Sequence, residues 1–138
     1  MNALELGTAV VALCRAGQDE QVLERYYADD IVSVEGQGTD AMPARIEGVE
    51  AVKQKWAGWY ANTTVHGTEA HGPFIGYRED QFMIRFVMDT TPKGGERSTM
   101  DEVALYTVAN GKIVEEVFFY NYADDAGLSA VDASGNRT

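Results

Sequence analysis

The sequence predicts an α+β fold in which helices gather on one face of a curved, antiparallel sheet. Three observations support this prediction. Helical spacing of apolar residues dominates the chain up to Asn62, and strand-like stretches rich in β-branched and aromatic residues follow it. The last two stretches are separated only by Asn110-Gly111, a dipeptide typical of a type I′ hairpin turn. With 138 residues, the chain is long enough for one core; we expect a single domain at residues 1–122 and a flexible tail at 123–138.

Three amphipathic helices are predicted before the main strands. The first ends near Gly17, the second begins at Asp19, which can cap it, and the third covers residues 48–62. A short strand at residues 31–35 and a loop at 36–47 lie between the second and third helices. The apolar stripes of the three helices are, in order, Leu6, Val10, Leu13 and Cys14; Val22, Leu23, Tyr26 and Tyr27; and Val49, Val52, Trp56 and Trp59.

Four strands follow, at residues 65–75, 81–90, 100–109 and 112–120, and the last two form the hairpin. A two-residue turn places Ala109 opposite Lys112 and therefore Val103 opposite Phe118. Because side chains alternate along a strand, this register predicts two faces. The first face contains Asp101, Val103, Leu105, Glu116, Phe118 and Tyr120. The second contains Glu102, Ala104, Tyr106, Glu115, Val117 and Phe119.

Composition and charge exclude several classes of function. The formal net charge of −11 disfavours nucleic acid or an anionic membrane as a partner, because phosphate contacts require clustered Lys and Arg. No apolar run approaches the roughly 20 residues of a membrane span. We expect a cytoplasmic protein in which the single Cys14 is a buried, inert thiol. No cofactor is expected, and no metal site, since His66 and His71 point to opposite faces of a strand.

Carboxylates and aromatic residues are the candidate site residues. Adjacent acidic pairs occur on both strands of the hairpin, so alternation sends one member of each pair inward; Glu35 lies on the same strand face as Ser33. A carboxylate in an apolar cavity has a raised pKa, which suits proton transfer, although a solvated strand surface is an equally good reading of any one carboxylate. The aromatic residues able to line such a cavity are Tyr27, Trp56, Trp59, Tyr60, Phe82, Phe86, Phe118 and Tyr120.

Three strings of the sequence resemble the nuclear transport factor 2-like superfamily, and within it the SnoaL-like polyketide cyclases and the ketosteroid isomerases. The strings are RAGQDEQVLERYYADDIVSVEG, EGVEAVKQKWAGWYAN and YTVANGKIVEEVFFY. The resemblance covers roughly residues 5–122. It implies a conical α+β barrel, with a cystatin-like, strongly bent, mostly antiparallel sheet wrapped around the long third helix and enclosing a deep apolar pocket.

The resemblance also implies roles for individual residues. The proton-shuttling carboxylate of the isomerases falls on Glu35, five residues after Asp30, and the end of the third helix places Tyr60 near the pocket. The last strand then directs Glu116, Phe118 and Tyr120 into the pocket, and the hairpin register adds Asp101. The two oxyanion donors of the isomerases fall on valines, Val10 and Val103, so the classical steroid isomerase mechanism is not expected.

A protein-interaction module is the least favoured function, because nothing in the sequence marks a peptide-binding groove, and two other functions remain open. The first is an enzyme of the isomerase, cyclase or dehydratase type, acting on an apolar carbonyl compound, with Glu35 as base and Asp101 and Glu116 as further catalytic residues. The second is a non-catalytic protein that binds an apolar metabolite. In both cases we expect a homodimer that buries the outer-face residues Val87, Val117 and Phe119, because these are too apolar for a wet surface.

Overall fold

A computed structural model describes residues 1–40 and 42–120; the predicted tail at 123–138 lies outside the described residues. The elements, in chain order, are α1 (Ala3–Arg15), α2 (Asp19–Tyr26), β1 (Tyr27–Val34), β2 (Arg45–Glu47), α3 (Val49–Ala61), β3 (Thr63–Phe74), β4 (Gln81–Pro92), β5 (Ser98–Ala109) and β6 (Lys112–Tyr120). The predicted α+β class and the three predicted helices are confirmed.

The six strands form one sheet in the order β2-β1-β6-β5-β4-β3, which is curled but does not close into a barrel. All neighbouring strands are antiparallel except β1 and β6, which run parallel. That parallel pair brings the end of β1 beside the end of the hairpin, because Ser33 is paired with Glu116. Residues more than 80 positions apart in sequence thereby become neighbours.

The first half of the chain differs from the prediction around β1. This strand begins at Tyr27, so Tyr27 belongs to the sheet and not to the apolar stripe of α2. The predicted loop at residues 36–47 contains β2, a three-residue edge strand that pairs with β1. Its sequence, Arg45-Ile46-Glu47, is too short to show strand periodicity, and pairing with β1 alone defines it.

Close packing of α1 against the sheet depends on Gly7. A Cβ atom at this position would lie 2.8 Å from Cβ of Pro73 and 3.0 Å from the Phe82 ring, closer than side chains tolerate. Leu6, Val10 and Cys14 of the same helix are buried in the core. Cys14 is a free thiol whose pKa burial raises to about 12, in agreement with the predicted inert cysteine.

The turn of the hairpin is confirmed, but the predicted register is wrong by one residue. Asn110 and Gly111 have φ angles of 53° and 73°, and Ala109 pairs with Lys112 across a two-residue loop. Immediately afterwards the register shifts, since Val108 pairs with Ile113 whereas Thr107 pairs with Glu115. Val114 is therefore an extra residue in β6, a β-bulge that the turn alone does not specify.

The bulge exchanges the two faces of β5. Glu102, Ala104 and Tyr106 pair with Tyr120, Phe118 and Glu116, and all six residues face the core side of the sheet. The residues that we predicted for the core side of β5 are Asp101, Val103 and Leu105, and they lie on the opposite, outer face. The inward assignment of Glu116, Phe118 and Tyr120 on β6 is correct.

Candidate functional site

Four charged side chains meet on the core side of the sheet and form what we call the carboxylate–lysine cluster: Glu35, Lys55, Glu102 and Glu116. Glu35 directly follows β1, Lys55 lies in the middle of α3, and the other two glutamates lie on β5 and β6. The parallel pairing of β1 with β6 and the bulge in β6 bring these elements together. The cluster is therefore a product of the sheet topology.

Glu116 is completely buried, and its carboxylate is held from two sides. The Tyr27 hydroxyl donates to Oε2, and the Ser33 hydroxyl donates to Oε1 at 2.7 Å. Burial raises the pKa of Glu116, and the positive charge of Lys55 together with these two hydroxyl donors opposes that rise. Because both carboxylate oxygens are already bonded to protein groups, Glu116 is a structural anchor of the cluster.

Lys55 is the cation of the cluster. Its Nζ donates to Ser33 Oγ and to Glu35 Oε1, both at 2.7 Å, and lies 3.9 Å from Glu116 Oε1. The ammonium group also lies 5.0 Å from the centre of the Phe118 ring, within the range of a cation–π contact. Its side chain is only 12% exposed, and that of Glu35 is 27% exposed, so the Lys55–Glu35 ion pair is partly shielded from water.

Glu102 is the carboxyl group of the cluster whose pKa is best suited to proton transfer. Burial and the charge of Glu35 raise the pKa of Glu102 to about 7; Lys55 opposes this rise, and Glu116 adds to it. The side chain is half-buried on β5, between its pairing neighbours Phe86 on β4 and Tyr120 on β6. Within residues 1–40 and 42–120, no side chain forms a hydrogen bond with this carboxyl group. Glu102 can therefore gain or lose a proton near neutral pH.

The aromatic residues predicted to bind a ligand separate into three groups. Tyr27, Phe82, Phe86 and Phe118 are buried core residues, and Phe82 stacks on Tyr106 with ring centres 4.9 Å apart. Trp56, Trp59 and Tyr120 are half-buried; the Tyr120 hydroxyl accepts from the backbone N–H of Gln37 at 3.2 Å.

Tyr60 is the third case, because it lies away from the cluster. Its side chain is 42% exposed, and its hydroxyl donates to Asp19 Oδ2 at 2.5 Å. Its ring meets Trp59 edge-on at the end of α3. The family resemblance implied that Tyr60 lies near the pocket, whereas in the structure its hydroxyl is directed towards α2.

Of the three predicted catalytic carboxylates, the structure brings Glu35 and Glu116 together but not Asp101. Asp101 lies on the outer face of the sheet, where Arg85 donates to both of its carboxylate oxygens at 3.0 and 2.8 Å. The cause is the bulge in β6, which turns Glu102 inward in its place. The prediction also put Glu35 in an apolar pocket, whereas its carboxylate is paired with Lys55.

Sequence reasoning missed Lys55 and Glu102. Lys55 follows Val52 by three positions and precedes Trp59 by four, so helical spacing places it on the apolar stripe of α3. A lysine within such an apolar stripe indicates an internal ion pair. Glu102 was assigned to the outer face by the uninterrupted register, and no feature of the local sequence marks the bulge at Val114.

Two surface concavities lie elsewhere on the described residues. A groove of about 580 Å³ on the outer face is lined by Gly67, Val87, Asp89, Arg97 and neighbouring residues. A smaller one of about 340 Å³ lies where the end of α3 meets the β4–β5 turn. Neither is lined by a member of the carboxylate–lysine cluster, so neither is the deep apolar pocket that we expected beside Glu35.

The titration of Glu102 predicts how stability depends on pH. Its pKa is raised from 4.5 to about 7 in the folded protein, so the folded state holds this proton more tightly than the unfolded state. The contribution of Glu102 to the free energy of unfolding is fully present below pH 4.5. It is lost as the pH rises through about 7, by roughly 3 kcal/mol in total. Urea denaturation between pH 5 and 8 measures this loss.

The matched variants are Glu102→Gln and Asp101→Asn. Glutamine at position 102 should flatten the dependence over this range, because the titrating group is gone. Asparagine at position 101 should leave it unchanged, because Arg85 lowers the pKa of Asp101 and its titration lies below the range tested. An equally steep loss of stability in the Glu102→Gln protein would contradict the prediction.

Comparison with known proteins gives one family and a consistent fold. The model of the SnoaL-like domain matches residues 1–120. A candidate SnoaL-like polyketide cyclase from Mesorhizobium loti, whose designation also includes carbohydrate phosphatase, is 45% identical over 84% of this chain and 97% of its own, with a TM-score of 0.78. No curated protein matches this chain at a significant level.

Two more distant structures share the fold alone. A candidate polyketide cyclase from Pseudomonas putida is 17% identical, over 92% of this chain and 97% of its own, with a TM-score of 0.69. A candidate isomerase from Bacillus subtilis is 16% identical, over 86% of each chain, with a TM-score of 0.66.

Proposed function

Since this chain belongs to the SnoaL-like domain family, we propose that it binds a small molecule and transfers a proton on it, in a reaction of the cyclase or isomerase type. The observation that supports this proposal most is Glu102, a half-buried carboxyl group with a pKa of about 7 beside a lysine. A general base works best when its pKa lies near the working pH, because it is then both deprotonated and basic enough to take a proton.

Glu102 fits the role of base better than the other two carboxylates of the cluster. Both oxygens of Glu116 are engaged by Tyr27 and Ser33, and the side chain is completely buried. The Glu35 carboxylate is already engaged by Lys55 at 2.7 Å. The role of Glu35 as base, which follows from the family resemblance, stays a prediction that the Glu35→Gln variant tests.

The proposed substrate is a neutral molecule with a carbonyl group. Ionised Glu102 takes a proton from the carbon next to the carbonyl, and the electron pair of that C–H bond moves onto the carbonyl oxygen to give an enolate. The ammonium of Lys55 stabilises this negative charge through space. In an isomerisation the substrate has a β,γ carbon–carbon double bond, the anion is a dienolate, and protonated Glu102 returns the proton to its γ-carbon. In a cyclisation the enolate carbon attacks a second carbonyl, and Glu102 protonates the resulting alkoxide.

The charge of the cluster argues against anionic substrates. Three carboxyl groups surround one lysine, and that lysine already holds Glu35. A phosphate ester would meet more negative than positive charge here. We therefore do not extend to this chain the carbohydrate phosphatase designation of the Mesorhizobium loti protein.

Exchange of carbon-bound hydrogen tests the proposal without knowledge of the natural substrate. The protein is incubated in D2O with a panel of neutral cyclic ketones, such as 2-tetralone, and deuterium incorporation next to the carbonyl is followed by NMR. We expect exchange above the rate in buffer, and a rate that increases with pH up to about 7 as Glu102 ionises. No acceleration for any ketone of the panel would contradict an enzymatic function.

A non-catalytic binding protein is the second candidate. One observation favours it: within the described ranges, every buried side-chain nitrogen and oxygen already has a hydrogen-bond partner, as expected of a stable polar core. The same ketones distinguish the two functions, because a binding protein would show ligand-dependent shifts of its NMR signals without any deuterium incorporation.

We also propose a homodimer, in the reducing cytoplasm where Cys14 stays a thiol, that buries the outer face of the sheet. The Phe119 side chain is 52% exposed on this face, next to Val117 on the same strand. Burying such a patch in a stable interface removes on the order of 1,000 Å² or more from water. Sedimentation at micromolar concentration should give the mass of two chains, and Phe119→Asp should shift it to that of one; a monomeric wild type would contradict the proposal.

In the described part of the chain, no helix is long and apolar enough to cross a membrane.

A further inference from the structure

Lys55 makes more contacts than the stabilisation of an enolate requires. Its ammonium group is shared by Ser33, Glu35 and Glu116, with distances of 2.7, 2.7 and 3.9 Å from Nζ. Its charge also acts on Glu102 across the cluster. All three carboxyl groups of the cluster therefore have one cation in common.

Lys55 determines the direction of the hydrogen bonds that Ser33 makes. An ammonium group can only donate, so Ser33 Oγ accepts from Lys55. Its single hydroxyl proton is then directed to Glu116 Oε1, 2.7 Å away. Without Lys55, the Ser33 hydroxyl would be free to rotate, and one of the two donors to the buried Glu116 would no longer be fixed.

Lys55 also holds the Glu35 side chain in position. Its carboxylate lies one residue beyond β1, where the extended ladder has ended, and Lys55 is the side chain that holds it. The stem of Lys55 belongs to α3 and its head lies over the Phe118 ring, so helix, strand end and sheet meet at this one ammonium group. Losing the positive charge would leave three carboxyl groups facing one another in a partly dry site.

We propose that Lys55 is the positioning residue of this site: its ammonium group orients Ser33 and Glu35 and is the shared counter-ion that allows three carboxyl groups to lie together. This inference rests on the proposed function for its biological meaning. Its physical content is separate, because it concerns the charge balance of the folded protein and requires no substrate.

Titratable groups face Glu102 from several elements. Glu35 after β1, Lys55 on α3 and Glu116 on β6 act on its pKa. Glu102 itself contributes to the raised pKa of Tyr106 on β5, Tyr120 is its pairing partner on β6, and its neighbour on β4, Phe86, does not titrate. Lys55 is the cation among those that act on the Glu102 pKa. Removing it should therefore strengthen the hold of Glu102 on its proton.

The test is a pH titration of the glutamate side-chain carbons by 13C NMR, with the Glu102 signal assigned from the Glu102→Gln variant. Lys55→Met should raise the titration midpoint of Glu102 by about 1–3 pH units, the usual effect of a nearby opposite charge. Lys53→Met is the matched control, since Lys53 lies on the same helix but is exposed and paired with Glu50. It should leave the midpoint unchanged.

A second variant separates the charge of Lys55 from its packing. In the double variant Lys55→Met/Glu116→Gln, one negative charge is removed along with the positive one, and the midpoint of Glu102 should return towards the wild-type value. If Lys55→Met alone does not fold, the double variant is compared with Glu116→Gln, which differs from it only at Lys55, and the Glu102 midpoint should be higher in the double variant. An unchanged midpoint in Lys55→Met, or a double variant with its midpoint as high as that of Lys55→Met, would overturn the inference. Failure of ketone exchange alone would leave it standing and would count only against the proposed function.

Discussion

Glu102→Gln is expected to slow deuterium exchange of the ketone substrates by about 10²–10⁴-fold, the range that general acid–base catalysis usually contributes. Glutamine keeps the shape of the side chain but cannot take a proton at neutral pH. The carboxyl group it replaces titrates at about 7, so the remaining slow reaction should also lose its dependence on pH near neutrality. NMR measurement of deuterium incorporation from pH 5 to 9 checks both effects.

Asp101→Asn is the matched control for this experiment. Asp101 is adjacent in sequence and carries the same charge, but it lies on the outer face in an exposed ion pair with Arg85. Its replacement should leave the exchange rate unchanged. Equal losses in the two variants would show a general effect of charge, and a Glu102→Gln protein with full activity would remove Glu102 from the mechanism. A loss found instead in Glu35→Gln would support the base that the family resemblance implies.

Phe82→Ala is expected to lower the free energy of unfolding by about 3–5 kcal/mol, the usual cost of truncating a fully buried aromatic residue. The Phe82 side chain is 1% exposed, stacks on Tyr106 and lies against Gly7 of α1. Its removal opens a cavity between helix and sheet that neither can close without moving. Urea or thermal denaturation measures the loss.

Phe74→Ala is the control, because it removes the same ring from a side chain that is 55% exposed and is not one of the proposed interface residues. We expect a change in the stability of the single chain within about 0.5 kcal/mol. Comparing the two variants also shows whether Phe82 is a core residue or the ligand-binding residue that we predicted from the sequence. A Phe82→Ala protein of normal stability that no longer binds ligand would restore that assignment, and a large loss of stability would make Phe82 a core residue.

Local sequence predicted most of the elements, because each of them is specified by contacts between near neighbours. Apolar residues at helical spacing determine α1 and α3, and Asn110-Gly111 determines a two-residue turn, since few other dipeptides tolerate two positive φ angles. Alternation along β6 required one of Glu115 and Glu116 to face inward, and the family resemblance identified it correctly as Glu116. The resemblance of three short strings added the family, which the match over residues 1–120 confirmed.

The tertiary structure decided which groups make up the site. Val114 bulges out of the ladder, and this one extra residue exchanges Asp101 for Glu102 on the core side. The turn could not show this, because strand alternation determines only that neighbours point oppositely, and a single insertion reverses the assignment for the rest of the pair. Lys55 meets Glu35 and Glu116 only because β1 runs parallel to β6 beneath α3. The sequence alone thus determined the elements and the presence of inward carboxylates, whereas long-range pairing determined which carboxylates meet and which cation they share.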